Sequence, residues 1–315
     1  MPATSAPFWF DRAIKTPCEA GNVEVDGCSI HYKAWGEIGN PGIALVHGSN
    51  AHLEWWRFIA PFLADQFRVV ALDSSGNGDS GWRDRYTGRV FAEEVHAACS
   101  AAQLGQRPFV VGHSFGGFTA LETGHIYGDD LGGIIFMDFS VAPPEQYLEW
   151  GARAAREGLK PNRQTRVYDD KSQALQRFRY LPDQPVTQPA VRDYIAEKSL
   201  RRVTDGWTWK FDPGLFDYLE MGEDQRDKFA ALACRSAVIL GEDSKDEGAF
   251  FTDHMLEITR GKLPVFKIPG THHHLMFEEP LAVAMAIKAL CLAWLAEDGQ
   301  EELKQGLAAT LAAKN

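Results

Sequence analysis

Short apolar runs recur in two parts of the chain, and amphipathic segments separate them. The runs lie at residues 43–46, 69–72, 109–111, 134–137, 237–240 and 265–268. Runs of this length are typical of strands that are buried on both faces of a sheet. The segments 55–63, 90–102 and 281–295 are compatible with helices. This alternation predicts an α/β fold, with a mostly parallel central sheet and helices on both of its faces.

The chain before these runs has a different pattern. Residues 23–36 alternate between apolar and polar positions, and Asp26-Gly27 interrupts the alternation. An Asp-Gly pair between two alternating runs is a signal for a tight turn between antiparallel strands. We therefore predict a β-hairpin in this region.

The alternation of strands and helices stops between residues 142 and 227. This stretch is rich in proline, has helical patches at 145–157, 171–179 and 189–203, and contains no strong strand pattern. The strand and helix rhythm returns from Leu232 onward. The pattern predicts a mostly helical cap, residues 142–227, inserted after the sixth strand of a core formed by residues 1–141 and 228–315. Residues 297–315 are polar and alanine-rich, typical of a terminal helix or a frayed tail.

Composition narrows the range of partners. The chain has 315 residues, is 45% hydrophobic and carries a formal net charge of −11. An acidic chain does not favour nucleic acid, which needs a basic face. No apolar run approaches the length of a membrane-spanning helix, and no secretory signal pattern is visible at the N-terminus. We expect no membrane partner, and the oligomeric state stays open.

The cysteines indicate a reducing compartment. The five are scattered and form no C-x-x-C pair: Cys18, Cys28, Cys99, Cys234 and Cys291. An odd, dispersed set does not suggest a disulfide framework or a zinc site. The expectation is therefore a cytoplasmic protein with reduced thiols.

The most informative motif is Gly112-His113-Ser114-Phe115-Gly116, which follows an apolar run and precedes a helix-compatible segment. In a G-x-S-x-G elbow the serine sits on a sharp turn between strand and helix, and its hydroxyl projects beyond the end of the sheet. Ser114 is therefore the candidate nucleophile. The backbone N–H of Phe115, which follows it, is a candidate donor to an oxyanion.

A serine hydroxyl needs a base, and that base needs an orienting acid. A strand-like run ends in Gly270-Thr271-His272-His273-His274, at the sheet edge where parallel folds place their ligands. On chemistry alone any of these three histidines could be the base. Three adjacent loop residues rarely converge on one ion, and no carboxylate or cysteine pattern completes a known site. We expect neither a metal nor a cofactor.

Four motifs resemble the α/β-hydrolase superfamily, over roughly residues 23–140 and 230–296. They are His47-Gly48, residues 73–80, residues 112–117 and residues 269–280. The resemblance implies the α/β-hydrolase fold. Members commonly carry Gly-x-x-His, with Glu and Pro five and seven residues after that histidine. The matching positions here are Gly270, His273, Glu278 and Pro280, so the resemblance implies that His273 is the base.

The identity of the acid stays open at this point. The common family position, in the loop after the run 237–240, holds Ser244, which has no carboxylate. Asp243 and Asp246 flank that position. A second placement in the superfamily follows the strand after the nucleophile helix, and here it holds Asp138. We favour Asp138, with Asp243 or Asp246 as the alternative acid.

The resemblance also implies the rest of the site. The second oxyanion donor is the backbone N–H of Ser49, the residue after His47-Gly48. Asn50, His113 and Trp209 are candidate substrate-pocket residues. Aromatic side chains in the cap suit an apolar or aromatic acyl group.

These observations predict a carboxylesterase-like serine hydrolase, which cleaves an ester or related acyl bond of a small molecule through an acyl-serine intermediate. On the same site, a C–C bond hydrolase of ring-cleavage products or a perhydrolase is the alternative. A non-catalytic ligand-binding protein on a hydrolase scaffold is the alternative of another class. Epoxide hydrolases and haloalkane dehalogenases carry aspartate at the elbow, where this chain has Ser114.

Overall fold

A computed structural model of the protein describes residues 6–157, 165–222, 224–246 and 249–312. Its strands are β1 (Glu19–Val25), β2 (Cys28–Trp35), β3 (Gly42–Val46), β4 (Arg68–Leu72), β5 (Tyr86–Thr87), β6 (Phe109–His113), β7 (Gly133–Met137), β8 (Leu200–Val203), β9 (Gly206–Trp209), β10 (Leu219–Glu220), β11 (Ser236–Gly241) and β12 (Val265–Ile268). The α-helices are α1 (Phe8–Lys15), α2 (Gly88–Ala101), α3 (Phe115–Tyr127), α4 (Pro144–Glu157), α5 (Lys171–Leu175), α6 (Pro189–Lys198), α7 (Gln225–Ala230), α8 (Thr252–Ile258), α9 (Leu275–Glu278) and α10 (Pro280–Ala312).

The fold is built on one eight-stranded sheet with the order β1-β2-β4-β3-β6-β7-β11-β12. The hairpin β1–β2 is antiparallel, and β2 is antiparallel to β4. From β4 to β12 every neighbouring pair is parallel. The predicted fold class and the predicted hairpin are both confirmed.

The central strands are apolar throughout because both faces of the sheet are covered. Along β3, Ile43 and Leu45 pack into one buried cluster, whereas Ala44 and Val46 pack into another. The first cluster includes residues of α10, and the second includes residues of α2 and α3. A strand with helices on both sides has no solvent-facing positions, so its sequence shows no alternation.

The cap segment, residues 142–227, follows β7, which is the sixth strand of the large sheet in chain order. It contains α4, α5 and α6, as predicted, but α6 ends at Lys198 and the chain then forms the antiparallel hairpin β8–β9. The sequence had predicted one helix over 189–203. The hairpin pairs Leu200 with Trp209 and buries Thr208 between two tryptophans. The exact boundaries of the cap stay a prediction.

Two other helical predictions differ from the structure. Residues 55–63 form no α-helix, since the short 3-10 helices Leu53–Trp56 and Ala60–Phe62 occupy this stretch. Pro61 lacks the amide hydrogen that an α-helix interior requires. The final helix α10 is longer than the predicted 281–295 and includes most of the polar tail, of which residues 313–315 lie outside the described part of the chain.

Helix α10 is also unusually apolar. Its segment Pro280–Glu301 has 22 residues and a mean hydropathy of 1.6, which by length and composition alone suffices to cross a membrane. About two fifths of its most apolar window, 39%, is buried inside the protein. Val283, Ile287, Cys291 and Trp294 belong to the core cluster on one face of the sheet. One face of α10 thus packs into the core. The expectation that no apolar run approaches the length of a membrane-spanning helix does not hold for this segment, and the expected absence of a membrane partner stays a prediction.

Candidate active site

Ser114 lies on a strained turn between β6 and α3. Its backbone has φ of +53° and ψ of −122°, a region that side-chain-bearing residues rarely adopt. A Cβ on Gly112 would lie 2.0 Å from the carbonyl oxygen of Gly116, so only glycine fits there. The N–H of Ser114 donates to the carbonyl oxygen of Met137 at 2.9 Å, which ties the elbow to the end of β7. The local sequence therefore forms the predicted elbow.

The loop after β3 packs directly against this elbow. A Cβ on Gly116 would lie 2.4 Å from the carbonyl oxygen of Val46 and 2.6 Å from that of His47. A Cβ on Gly48 would lie 3.2 Å from the Cβ of Ser114. These close approaches bring the segment that carries Ser49 next to the start of α3. The two predicted oxyanion donors, Ser49 and Phe115, thus belong to touching segments.

His273 and Asp138 form a buried pair. Nδ1 of His273 donates to Oδ1 of Asp138 at 2.8 Å, and the two side chains are 3% and 0% exposed. Asp138 directly follows β7, with a φ of +45° that turns its side chain away from the strand path. A carboxylate accepts only, so this bond fixes the proton on Nδ1 and leaves the lone pair on Nε2. A base with that tautomer can take a proton from a nucleophile.

Asp138 is held by two further donors from the loop after β11. The hydroxyl of Ser244 donates to its Oδ1 at 2.6 Å, and the N–H of Gly241 donates to its Oδ2 at 2.8 Å. Ser244 occupies the position at which the family resemblance suggested a carboxylate. Its donation to an aspartate just after the neighbouring strand β7 is a role that no local sequence pattern indicates.

The two alternative acids lie elsewhere on that loop. Asp243 is exposed, and its N–H donates to the carbonyl oxygen of Thr271. Asp246 is half-buried, and its N–H lies 3.4 Å from the Ser244 hydroxyl. Within the described ranges, Asp138 is the carboxylate that is hydrogen-bonded to His273.

The neighbouring histidines are fixed by their own partners. Glu278 accepts from the N–H of His272 at 2.6 Å and from its Nδ1 at 3.0 Å, which holds the histidine loop in shape. His113 donates from Nε2 to the carbonyl oxygen of His273 at 2.9 Å, and the two rings are 4.9 Å apart. This contact places the residue before Ser114 beside the predicted base.

Burial keeps several of these histidines neutral. It is the main cause that lowers the pKa of His113 and of His274 well below the usual value, and the nearby His273 adds to both effects. One ring nitrogen from each of His113, His273 and His274 lies within 4.8 Å of the other two, a spacing that could hold a metal ion. Two of these rings have hydrogen bonds of their own, from His273 Nδ1 to Asp138 and from His113 Nε2 to the main-chain carbonyl of His273.

A cavity of about 570 Å³ lies between this site and the cap segment. Its lining includes Ser49 and two of the predicted pocket residues, Asn50 and Trp209. His113 is fully buried behind the histidine loop and is not among the lining residues. The sequence also indicates His52 and the cap aromatics Phe178, Tyr180 and Phe211 as possible pocket residues, and all four line the cavity. The lining residues that the sequence did not single out are Trp55, Tyr168, Arg177, Arg179, Leu181, Ser199, Lys210 and His274.

A larger hollow, of about 740 Å³, lies between α2 and the loop 103–108. None of the predicted site residues lines it. We therefore take the smaller cavity beside Ser49 as the candidate ligand site, because predicted site residues line it.

The segment 73–80 supports the site without entering it. Asp73 is fully buried and accepts from the N–H of Leu53 at 2.6 Å and of Asp79 at 2.9 Å, and its burial raises its pKa to about 7. His47 accepts at Nε2 from the N–H of Ser74 at 3.1 Å, and burial lowers its pKa to about 4. These contacts fix the loop that leads to Ser49.

The same segment is bonded to the cap. The N–H of Gly78 donates to the carbonyl oxygen of Lys210 at 2.8 Å, and the N–H of Asp212 donates to that of Gly76 at 2.6 Å. The Tyr86 hydroxyl donates to Oδ2 of Asp212 at 2.7 Å. These hydrogen bonds fix the position of residues 210–212, two of which form part of the cavity wall, relative to the core.

A profile of the alpha/beta hydrolase family matches residues 43–286. The chain is similar to a 2-hydroxy-6-oxo-6-(2'-aminophenyl)hexa-2,4-dienoic acid hydrolase of Metapseudomonas resinovorans, with 29% identity over 36% of this chain and 40% of the relative. It is also similar to a pimeloyl-[acyl-carrier protein] methyl ester esterase of Edwardsiella ictaluri, with 28% identity over 44% of this chain and 51% of that protein.

Among solved structures, E-2-(acetamidomethylene)succinate hydrolase superposes with a TM-score of 0.70 and 19% identity, over 87% of this chain and 98% of that chain. At that identity the likeness concerns the fold. The chain spans about a third to a half of the length of the curated relatives that it matches.

Proposed function

Because the chain belongs to the alpha/beta hydrolase family, we propose that it is a serine hydrolase. It cleaves a carboxylic ester or a related acyl bond of a small, largely apolar or aromatic substrate. The observation that carries this proposal is the buried hydrogen bond between His273 and Asp138, on a loop that contacts the strained Ser114 elbow.

The reaction follows from the roles these groups can take. The Ser114 hydroxyl attacks the acyl carbon, and Nε2 of His273 accepts its proton. The N–H groups of Ser49 and Phe115 stabilise the negative oxygen of the tetrahedral intermediate. Protonated His273 then returns the proton to the leaving alcohol, and the acyl-serine forms. Water, deprotonated by His273, releases the acid. Asp138 orients the imidazole and stabilises its charged form.

The cavity supports a partly aromatic substrate. Trp55, Phe178, Tyr180 and Trp209 supply much of its lining, and aromatic walls bind flat apolar groups by area burial and ring packing. The similarity to a methyl ester esterase supports an ester bond.

The similarity to a dienoic acid hydrolase favours a second candidate, cleavage of a C–C bond next to a carbonyl group on the same site. The two candidates use the same serine and histidine, and they differ in the bond that breaks. A panel of aryl esters, alkyl esters, lactones and dienone acids distinguishes them by the substrate with the highest kcat/KM.

Covalent labelling tests the nucleophile. We expect a fluorophosphonate probe to label the wild-type protein and Ser100→Ala, which changes an exposed serine on α2. We expect no labelling of Ser114→Ala. If folded wild-type protein is not labelled, or if Ser114→Ala is labelled equally, the serine hydrolase proposal fails and a non-catalytic binding role is favoured.

A further inference from the structure

The cavity beside the site is positively charged, although the protein as a whole is acidic. Its lining contains Arg177, Arg179 and Lys210, and no lining residue in the described part of the chain is an aspartate or glutamate. The formal net charge of the whole chain is −11. A cleft lined by one sign of charge raises the local concentration of the opposite ion. The charge of the lining is therefore opposite in sign to that of the whole chain, in a cavity that reaches Ser49 and His274, the sequence neighbours of the proposed reacting groups.

Most of this positive charge has no compensating carboxylate. Lys210 is paired, since its Nζ lies 2.7 Å from Asp79. Nη1 of Arg179 donates to the carbonyl oxygens of Gln176 at 2.9 Å and Phe178 at 2.6 Å. Neither Arg179 nor Arg177 makes an ion pair with any residue that the structure describes. Two guanidinium groups thus keep donors for a ligand.

Both arginines lie close in the chain to Tyr180, which packs against the histidine loop. The segment 177–181 lines the cavity, and the ring of Tyr180 on it lies 5.6 Å from that of His274, next to the predicted base. Three residues of extended chain span about 10 Å at most, so Arg177 lies within about that distance of Tyr180 along the backbone. Phe178, between the arginines, packs 6.3 Å from the ring of Trp209. Aromatic side chains of the cap therefore lie beside the arginines in the cavity that His274 also lines.

We propose that the substrate is an organic anion, with a carboxylate at the end remote from the scissile bond, and that Arg177 and Arg179 bind this carboxylate. The inference rests on the proposed hydrolase function and adds the substrate class. Guanidinium groups match the planar geometry of a carboxylate and can bind it through two parallel hydrogen bonds. The apolar body of the substrate packs against Phe178, Tyr180 and Trp209.

The expected effect is moderate, since both arginines are exposed. Charge pairs near solvent are worth up to about 1 kcal/mol each, which corresponds to about fivefold in affinity. Two such contacts give at most about a 25-fold preference, of which we expect roughly tenfold, and added salt weakens it.

The hydrolytic test uses two esters of matched length, 4-nitrophenyl hexanoate and the mono-4-nitrophenyl ester of adipic acid. We expect kcat/KM to favour the anionic ester by about tenfold, mainly through KM. The ratio should fall towards one in Arg177→Gln/Arg179→Gln and at high ionic strength. Arg202→Gln is the matched control, because Arg202 is an exposed cap arginine outside the cavity lining. Equal preference in the wild type and the double variant would overturn the inference.

A binding test separates this inference from the proposed function. Tryptophan fluorescence of Ser114→Ala, in which Trp55 and Trp209 line the cavity, reports binding of 6-phenylhexanoate and of 6-phenylhexan-1-ol. We expect the carboxylate to bind more tightly, and the advantage to disappear in the arginine double variant. If the wild type hydrolyses no ester but this selectivity is found, the proposed function fails and the anion site stands. If esters are hydrolysed but the alcohol binds as well as the carboxylate, only the anion site fails.

Discussion

The core sheet and the cap differ in how completely they are buried. Every residue of β3, β4, β6 and β7 is buried, whereas in the hairpin β8–β9 of the cap only Leu200 and Thr208 are buried. Three of the proposed reacting groups, at Ser49, Ser114 and Asp138, follow fully buried strands, and His273 follows the edge strand β12. The cavity walls that face them come largely from the cap. The difference indicates that the core fixes the chemistry and the cap adapts the cavity to its ligand.

The largest expected effect concerns the acid in the core. Asp138→Asn should lower kcat by about four orders of magnitude, since an amide neither fixes the tautomer of His273 nor stabilises its charge. Steady-state kinetics on the best ester of the panel measures this loss. Asp243→Asn is the matched control, an exposed aspartate on the loop after β11, and should stay within a few-fold of wild type. A large loss in the control and a small one in Asp138→Asn would assign the acid to the loop instead.

Acidification should destabilise the core more than any single cap substitution. Burial lowers the pKa of His47, His52, His113 and His274 in the folded protein. Below about pH 6.5 these histidines are protonated in the unfolded chain but stay neutral in the folded protein. The free energy of unfolding therefore falls as the pH falls, and each histidine contributes up to about 1.4 kcal/mol per pH unit.

Two buried acids act in the opposite direction. Burial raises the pKa of Asp73 to about 7 and also raises that of Glu94. The folded protein therefore binds protons at these two acids more readily than the unfolded chain does, so their contribution to the free energy of unfolding increases as the pH falls. The histidines outnumber them, and we expect a net loss on the order of 2–4 kcal/mol per pH unit just below pH 6.5. Thermal unfolding followed by circular dichroism between pH 8 and pH 5 tests this. A Tm that stays constant or rises on acidification contradicts it.

A methyl group tests how tightly the core elbow is packed. Gly116→Ala places a Cβ 2.4 Å from the carbonyl oxygen of Val46, which must shift, so we expect a loss of about 2–3 kcal/mol in the free energy of unfolding. Gly214→Ala in the cap meets only the ring of Tyr218 and the Asp212 carboxylate, at 3.1 Å or more, and should cost well under 1 kcal/mol. Urea denaturation of both variants measures the difference, and equal losses would remove the contrast between the two regions.

The smallest effect is expected in the aromatic wall of the cap. Trp209→Leu should raise KM three- to tenfold, through loss of ring contact with the substrate, with little change in kcat or Tm. Trp207→Leu is the control, because Trp207 lies on the same strand but does not line the cavity. A change in kcat as large as that of Asp138→Asn would mean that the cap takes part in the chemistry.

The sequence predicted the core well because its signals are local. Continuous apolar runs identify β3, β4, β6, β7 and β11, and the glycines around Ser114 identify the elbow, since each pattern reflects the burial or turn at that residue. The hairpin β8–β9 was missed because Leu200, Arg201 and Arg202 show no alternation. The pairing of these residues with 207–209 sets their conformation.

The site was predicted less completely because it also depends on contacts between residues that are far apart in the chain. Three aspartates stayed open as the acid because the choice depends on the Ser244 hydroxyl and the Gly241 N–H, more than 100 residues from Asp138 in the chain. The sequence predicted that His113 lines the pocket. In the structure His113 is buried and donates to the carbonyl oxygen of His273, 160 residues away in the chain. Contacts of this range leave no trace in a local pattern.

The main-chain hydrogen bonds between segments 76–78 and 210–212 limit how the cap can move. Separating these two segments would break both hydrogen bonds and the Tyr86–Asp212 contact together. Residues 210–212, two of which line the cavity, are therefore anchored to the core. The segment with both proposed anion-binding arginines is tied down as well, since the carbonyl oxygen of Leu181 accepts from Nε2 of His274 at 3.1 Å and the ring of Tyr180 packs 5.2 Å from that of Phe277. Admission of a bulky ligand therefore requires contacts to break at one of these two borders of the cavity.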